Sequence, residues 1–192
     1  MKAIFVLLLL IGLISATKKG VPTPIKSGLD KPIFIEVNKQ FKSIRDLLAL
    51  EYFKNKTVYI NLWATTCAPC IREFPASNAL IKKYEGKDVA FLYICYNFNL
   101  PESKERVRLQ WKELIEKNKL SGFHAYTYVM PPDSIIHEPI TFEFMQQKSG
   151  KAIAYGVPTH FIAKNGKILV EYAPIPSDPA TTRLIDSVLV LQ

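Results

Sequence analysis

Asn61-Leu-Trp-Ala-Thr-Thr-Cys-Ala-Pro-Cys-Ile-Arg-Glu-Phe-Pro75 is the stretch from which the rest of the chain can be read. Cys67 and Cys70 stand three positions apart, close enough to join, so the segment can hold two electrons as a dithiol or release them as a disulfide. Upstream, Thr57 to Trp63 is rich in β-branched and aromatic residues, which predicts a strand buried on both faces. Downstream, Ile71, Phe74, Asn78, Ile81 and Tyr84 fall near helical spacing, so Cys67 lies where a strand gives way to a helix. Pro69 suits the first turn, where its missing N–H costs nothing. A thiol there faces unpaired backbone N–H groups and the positive end of the helix dipole. In such settings a cysteine pKa falls from about 8.5 to roughly 3.5–7.5. Cys67 is therefore the expected reactive thiolate, and Cys70, one turn deeper, the resolving thiol.

Two bland readings compete with redox chemistry. Half a zinc site would need two further ligands from Cys95, His124, His137 and His160, and none of these forms a second pair with ligand spacing. A purely structural bridge over so short a loop removes little chain entropy and stabilises little. No resident metal or cofactor is expected.

Met1-Lys2 followed by the apolar run Ala3 to Ala16 reads as an export signal, shorter than the roughly 20 residues of a spanning helix. Cleavage is expected after Ala16. Ile14 and the close Lys18-Lys19 pair keep an uncleaved N-terminal anchor as the second reading. The expected location is the periplasm or cell envelope. Residues 17–31, with Gly20, Pro22, Pro24 and Gly28, read as a flexible leader, and residues 32–192 as one domain with a sizeable core. The net charge of +8 is scattered, with lysines interleaved among Glu102, Glu105, Glu113 and Glu116. That is a solvated face, not a nucleic-acid stripe. Of three cysteines, Cys95 lies in the apolar run Val89 to Tyr96 and is expected to be buried and inert.

Along the chain, strands are predicted over residues 32–37, 57–63, 89–96 and 123–130, with helices over 41–52, through the motif, and over 101–118. Pro131-Pro132-Asp133 ends the fourth strand. Residues 140–147 read as a helix or an irregular apolar segment. A strand entered at Gly156 turns back at Asn165-Gly166, a two-residue hairpin signal, into Lys167 to Glu171. A final amphipathic helix runs through Leu184, Ile185, Val188 and Leu189. The sheet is therefore mixed.

This order of parts resembles the thioredoxin superfamily, specifically its exported TlpA/ResA-like thiol/disulfide oxidoreductases. The likeness rests on Trp63-Ala-x-x-Cys67-Ala-Pro-Cys70, on Glu73-Phe74-Pro75, and on Val157-Pro158-Thr159 ahead of the Asn165-Gly166 turn. It implies an α/β thioredoxin-like fold: a mixed central sheet flanked by helices, with an N-terminal strand extension and an insertion, placed at 123–155, before the strand that follows Pro158. It also implies a cis Pro158 beside the redox pair and a Val157 backbone offered to a substrate strand. Trp63 and Thr66 would line the substrate surface. Glu73 would take a proton from the resolving thiol or tune both sulfurs. Where plain thioredoxins carry a buried aspartate, this chain has Asn61, and Thr66 replaces a tryptophan common before the first cysteine. The expected partners are a disulfide-containing protein substrate and a membrane thiol electron donor, the protein itself being a monomer. Copper delivery through the cysteines and His160, and a non-catalytic docking module, are the rival functions.

Overall fold

The computed structural model describes residues 31–35, 37, 41, 43–98, 103–129, 145–148, 151–154 and 156–191. The export signal, the leader up to residue 30 and the Pro131-Pro132-Asp133 break lie outside the described residues. Six strands form the main sheet: β1 (Pro32–Ile35), β2 (Thr57–Trp63), β3 (Val89–Phe98), β4 (Gly122–Val129), β7 (Thr159–Lys164) and β8 (Lys167–Glu171). Their order is β1-β4-β3-β2-β7-β8. The first four are mutually parallel, whereas β7 and β8 run antiparallel to their neighbours. A separate hairpin pairs β5 (Met145–Lys148) with β6 (Lys151–Ala154).

β2 is buried at all seven positions, as a central strand covered on both faces must be. The helices are α1 (Ile44–Leu48), α2 (Ala68–Arg72), α3 (Phe74–Lys83), α4 (Lys104–Lys117) and α5 (Pro179–Leu189). Residues of α2, α3, α4 and α5 share one core with Tyr59, Trp63, Phe91, Tyr93 and Ile162. On the opposite face, α1 and Phe53 pack with Val58, Ile60, Leu62, Leu92, Ile94 and Phe161. The C-terminal end of α5 is tied to β7 by Lys164, whose Nζ donates to the carbonyls of Val188 (3.0 Å), Leu189 (2.9 Å) and Leu191. A cation there satisfies the helix's orphan carbonyls and opposes its dipole.

Several expectations are corrected. The helix expected over 41–52 contracts to α1 followed by a short 3-10 turn over Glu51–Phe53. Ser43 caps its start by accepting from the Asp46 N–H at 3.1 Å, and Leu50, at φ −58° and ψ 144°, interrupts it. The motif helix is two helices meeting at Glu73, because Pro75 has no N–H to give and its ring crowds the carbonyl four residues back. Residues 122–129 are no insertion. β4 sits inside the sheet, pairing with β1 and β3 at once, so an insertion can begin only after Val129. Gly122 admits this pairing: at φ +101° a Cβ would lie 3.0 Å from the Phe91 carbonyl oxygen. Within 140–147, residues 145–147 belong to strand β5, neither helical nor irregular. The hairpin turn is as expected, with Asn165 and Gly166 at φ 51° and 72°, the two positive values a type I′ turn requires.

Candidate active site

Cys67 is the N-cap of α2 and Cys70 lies in its first turn, so the strand-to-helix junction read from the sequence is where the structure puts the pair. The two are joined as a disulfide with Cα atoms 5.3 Å apart. Their surroundings differ. Cys67 retains 8% exposure and is flanked by exposed Thr66, Ala68 and Pro69, whereas Cys70 is fully enclosed. Only Cys67 can meet a large partner. Its Sγ also accepts the Cys70 backbone N–H at 3.2 Å, a helix N-terminal donor aimed where a thiolate would carry its charge.

Below the pair, the sheet face is unusually polar. Strand register places His160, Asn61, Tyr93 and His124 in one row across β7, β2, β3 and β4. All four are buried, and among the described residues both polar side-chain atoms of Asn61 and His160 Nε2 have no hydrogen-bond partner. His124 Nε2 meets the Leu120 carbonyl oxygen at 3.1 Å and its ring stacks on Tyr93 at 5.0 Å. Burial pushes both imidazoles down to about 4, so both are neutral near pH 7. His160 stacks on Tyr59 at 5.5 Å. Among the described residues, no three His, Cys, Asp or Glu side chains gather to hold a metal ion. Cys95 is buried and outside any disulfide, as expected.

The Val157–Pro158 bond is cis, as the resemblance implied. Val157 packs against the core cluster that contains both cysteines. Thr159 closes the turn, donating from Oγ1 to the Gly156 carbonyl at 2.6 Å. Trp63 departs from its expected place at the substrate surface. It is fully buried and packs edge-on against Phe74 at 5.1 Å, because β2 is covered on both faces, so it supports the redox helices from beneath. Thr66 is exposed.

Glu73 is half-buried, and its backbone N–H caps α2 by donating to the Cys70 carbonyl at 3.1 Å. Its carboxylate faces a residue the sequence did not single out. Ser177 donates its backbone N–H to Oε2 at 2.9 Å and its hydroxyl to Oε1 at 3.0 Å. Close by, the Tyr59 hydroxyl donates to the Pro174 carbonyl at 2.6 Å. Burial pushes the Tyr59 hydroxyl far above its ordinary range, with the charges of Tyr93 and Glu73 adding to the effect. Ser177 follows Glu73 by 104 positions, and no local pattern announces such a pair.

The Redoxin family model matches residues 41–175. Among curated proteins, the thiol-disulfide oxidoreductase ResA of Bacillus thuringiensis is 37% identical over 65 residues, 34% of this chain and 35% of ResA. The thioredoxin-like protein YneN of Bacillus subtilis is 30% identical over 117 residues, 52% of this chain and 67% of YneN. The matched stretch thus spans about a third of the length of the first curated relatives. Among solved structures, the solution structure of a candidate thiol-disulfide oxidoreductase from Bacteroides vulgatus aligns with a TM-score of 0.50 and 27% identity, over 71% of this chain and 75% of that one. The mixed sheet flanked by helices is a thioredoxin-like fold.

Proposed function

The chain belongs to the Redoxin family, as a TlpA/ResA-like member of the thioredoxin superfamily, and on that premise we propose that it is an exported reductase of protein disulfides. The observation that carries this reading is the asymmetry of the pair: a Cys67 that retains 8% exposure and whose sulfur accepts a helix N-terminal N–H, beside a Cys70 with none.

In the reduced protein the Cys67 thiolate attacks one sulfur of a substrate disulfide. A mixed disulfide forms and the other substrate sulfur leaves as thiolate. Cys70 then attacks Cys67 Sγ, breaking the bond to the substrate sulfur; the Cys70 proton passes to that departing sulfur, which leaves as the second substrate thiol, and the Cys67–Cys70 bond closes. Two electrons pass to the substrate, and a dithiol donor at the membrane returns two to the pair. Val157, beside the cis Pro158, offers its backbone to the substrate chain, and Thr66 faces it. Glu73 closes the end of the redox helix on the Cys70 carbonyl, and Asn61 has no proton-accepting carboxylate to offer. The apolar run Ala3 to Ala16 supports export to the periplasm or cell envelope.

Replacing Cys70 with Ser stops the second step, so Cys70→Ser should accumulate a mixed disulfide with an added disulfide-bonded protein, visible as a mass adduct on Cys67 that dithiothreitol removes. Cys67→Ser should form none. If Cys70→Ser captures nothing and the wild type reduces no test disulfide, the reductase reading fails.

A further inference from the structure

The segment from Ala173 to Asp178, between β8 and α5, is held at successive points along its length. The Ala173 N–H donates to the His160 carbonyl at 2.9 Å, and the Pro174 carbonyl accepts from Tyr59 at 2.6 Å. The Ile175 carbonyl accepts from Thr181 Oγ1 at 2.5 Å and from the Asp178 N–H at 3.0 Å. Asp178 then caps α5 by accepting from the Ala180 N–H at 2.8 Å. These ties run to the sheet, to α5 or within the segment itself. Ser177 joins the segment to the redox helices, through two donors on the two oxygens of Glu73, and the Glu73 backbone N–H is itself bound to the Cys70 carbonyl. The Ser177–Glu73 pair thus brings the segment to the end of the helix that carries Cys70, and the Ile175 side chain stays exposed.

A carboxylate accepts and does not donate when ionised, and hydrogen bonds to it are stronger and more directional than those between neutral groups. One residue giving both its N–H and its hydroxyl to the two oxygens fixes the carboxylate's orientation as well as its distance. We propose that Glu73 and Ser177 form a clamp that positions the 173–178 segment against the redox helices, so that a polypeptide flanking the substrate disulfide meets a fixed surface at Ile175. Both are positioning residues. The proposal rests on the disulfide-reductase reading for its substrate, but the clamp itself does not.

The test compares Ser177→Ala, Ser177→Thr, Glu73→Ala and Glu73→Gln with the wild type, using full-length reduced protein with insulin as the protein disulfide and a dipyridyl disulfide as the small one. A small disulfide reaches Cys67 without touching the segment. Losing one such hydrogen bond should raise the ratio of the insulin KM to the dipyridyl KM about fivefold in Ser177→Ala, and further in Glu73→Ala. Ser177→Thr, which keeps the hydroxyl, should restore it. Glu73→Gln, which keeps an acceptor oxygen but no charge, should fall between wild type and Glu73→Ala. Amide exchange at residues 173–178 should quicken in both alanine variants. An unchanged KM ratio in Ser177→Ala overturns the proposal, as does a Glu73→Gln that loses small-disulfide turnover as fully as Glu73→Ala, which marks a proton-transfer role. If the wild type reduces neither disulfide, the reductase reading falls, and exchange that stays at the wild-type rate in both alanine variants overturns the clamp as well.

Discussion

On one face of β2, Val58, Ile60 and Leu62 pack with Leu92, Ile94, Phe161 and Ala163 and with helix α1. On the other, Asn61 stands between Tyr59 and Trp63, in a row with Tyr93, His124 and His160, beneath the helices that carry the cysteines. The same strands build both faces, and every second residue belongs to the other one. The first face is apolar burial, worth about 25 cal/mol per Å² removed from water. The second includes polar atoms with no partner among the described residues, and an unsatisfied buried group carries a penalty of about 1–3 kcal/mol. The α1 face is therefore apolar packing alone, whereas the face under the redox pair combines a core of large aromatic side chains with buried polar groups that offset part of its gain.

The largest test of that contrast is a cavity on the apolar side. Leu62 is fully buried, so Leu62→Ala should lower unfolding free energy by about 2–5 kcal/mol in urea titrations, with the potential of the cysteine pair unmoved. A potential that shifts with it would mean the two faces are not separable.

Acid should act on the polar side. His124 and His160 are both lowered by burial from 6.5 to about 4. As pH falls, the unfolded chain protonates first. Their contribution is full above about pH 6.5 and is lost progressively down to about pH 4. The loss is on the order of 3 kcal/mol for each imidazole. Urea midpoints followed across that window should show the decline, and His160→Phe should remove its share. A flat profile would place both imidazoles in contact with solvent.

The smallest effect is expected at Asn61. An unpartnered buried amide replaced by an apolar group of similar shape leaves nothing unsatisfied, so Asn61→Leu should change stability by less than about 1 kcal/mol in either direction. A cost matching that of Leu62→Ala would show the row to be fully hydrogen-bonded and would break the contrast.

What could be read from the sequence divides along physical lines. Local period and turn chemistry are written in neighbouring residues, so β2, the Asn165-Gly166 hairpin and the Cys67–Cys70 junction were legible. Depth and partnership are not. The pattern Thr57 to Trp63 announces a buried strand, but a tryptophan at its end reads alike as support or as surface, and Trp63 proved to be support. Part of β4 reads as an insertion in the sequence because its place between β1 and β3 depends on strands far away in the chain. Met145–Lys148 has no apolar alternation to reveal β5. The Ser177 partner of Glu73 was hidden by sequence distance alone.

The claim on which the rest depends is that Cys67 and Cys70 exchange two electrons as a unit and do so as a reductant. Equilibrating the protein in graded dithiol/disulfide buffers and counting thiols by mass after alkylation measures this directly. A single two-electron transition with a midpoint near thioredoxin's, about −270 mV, absent from either single Cys→Ser variant, is the predicted result. A midpoint near the strong-oxidant end, about −120 mV, or a transition that survives in Cys67→Ser, would contradict it.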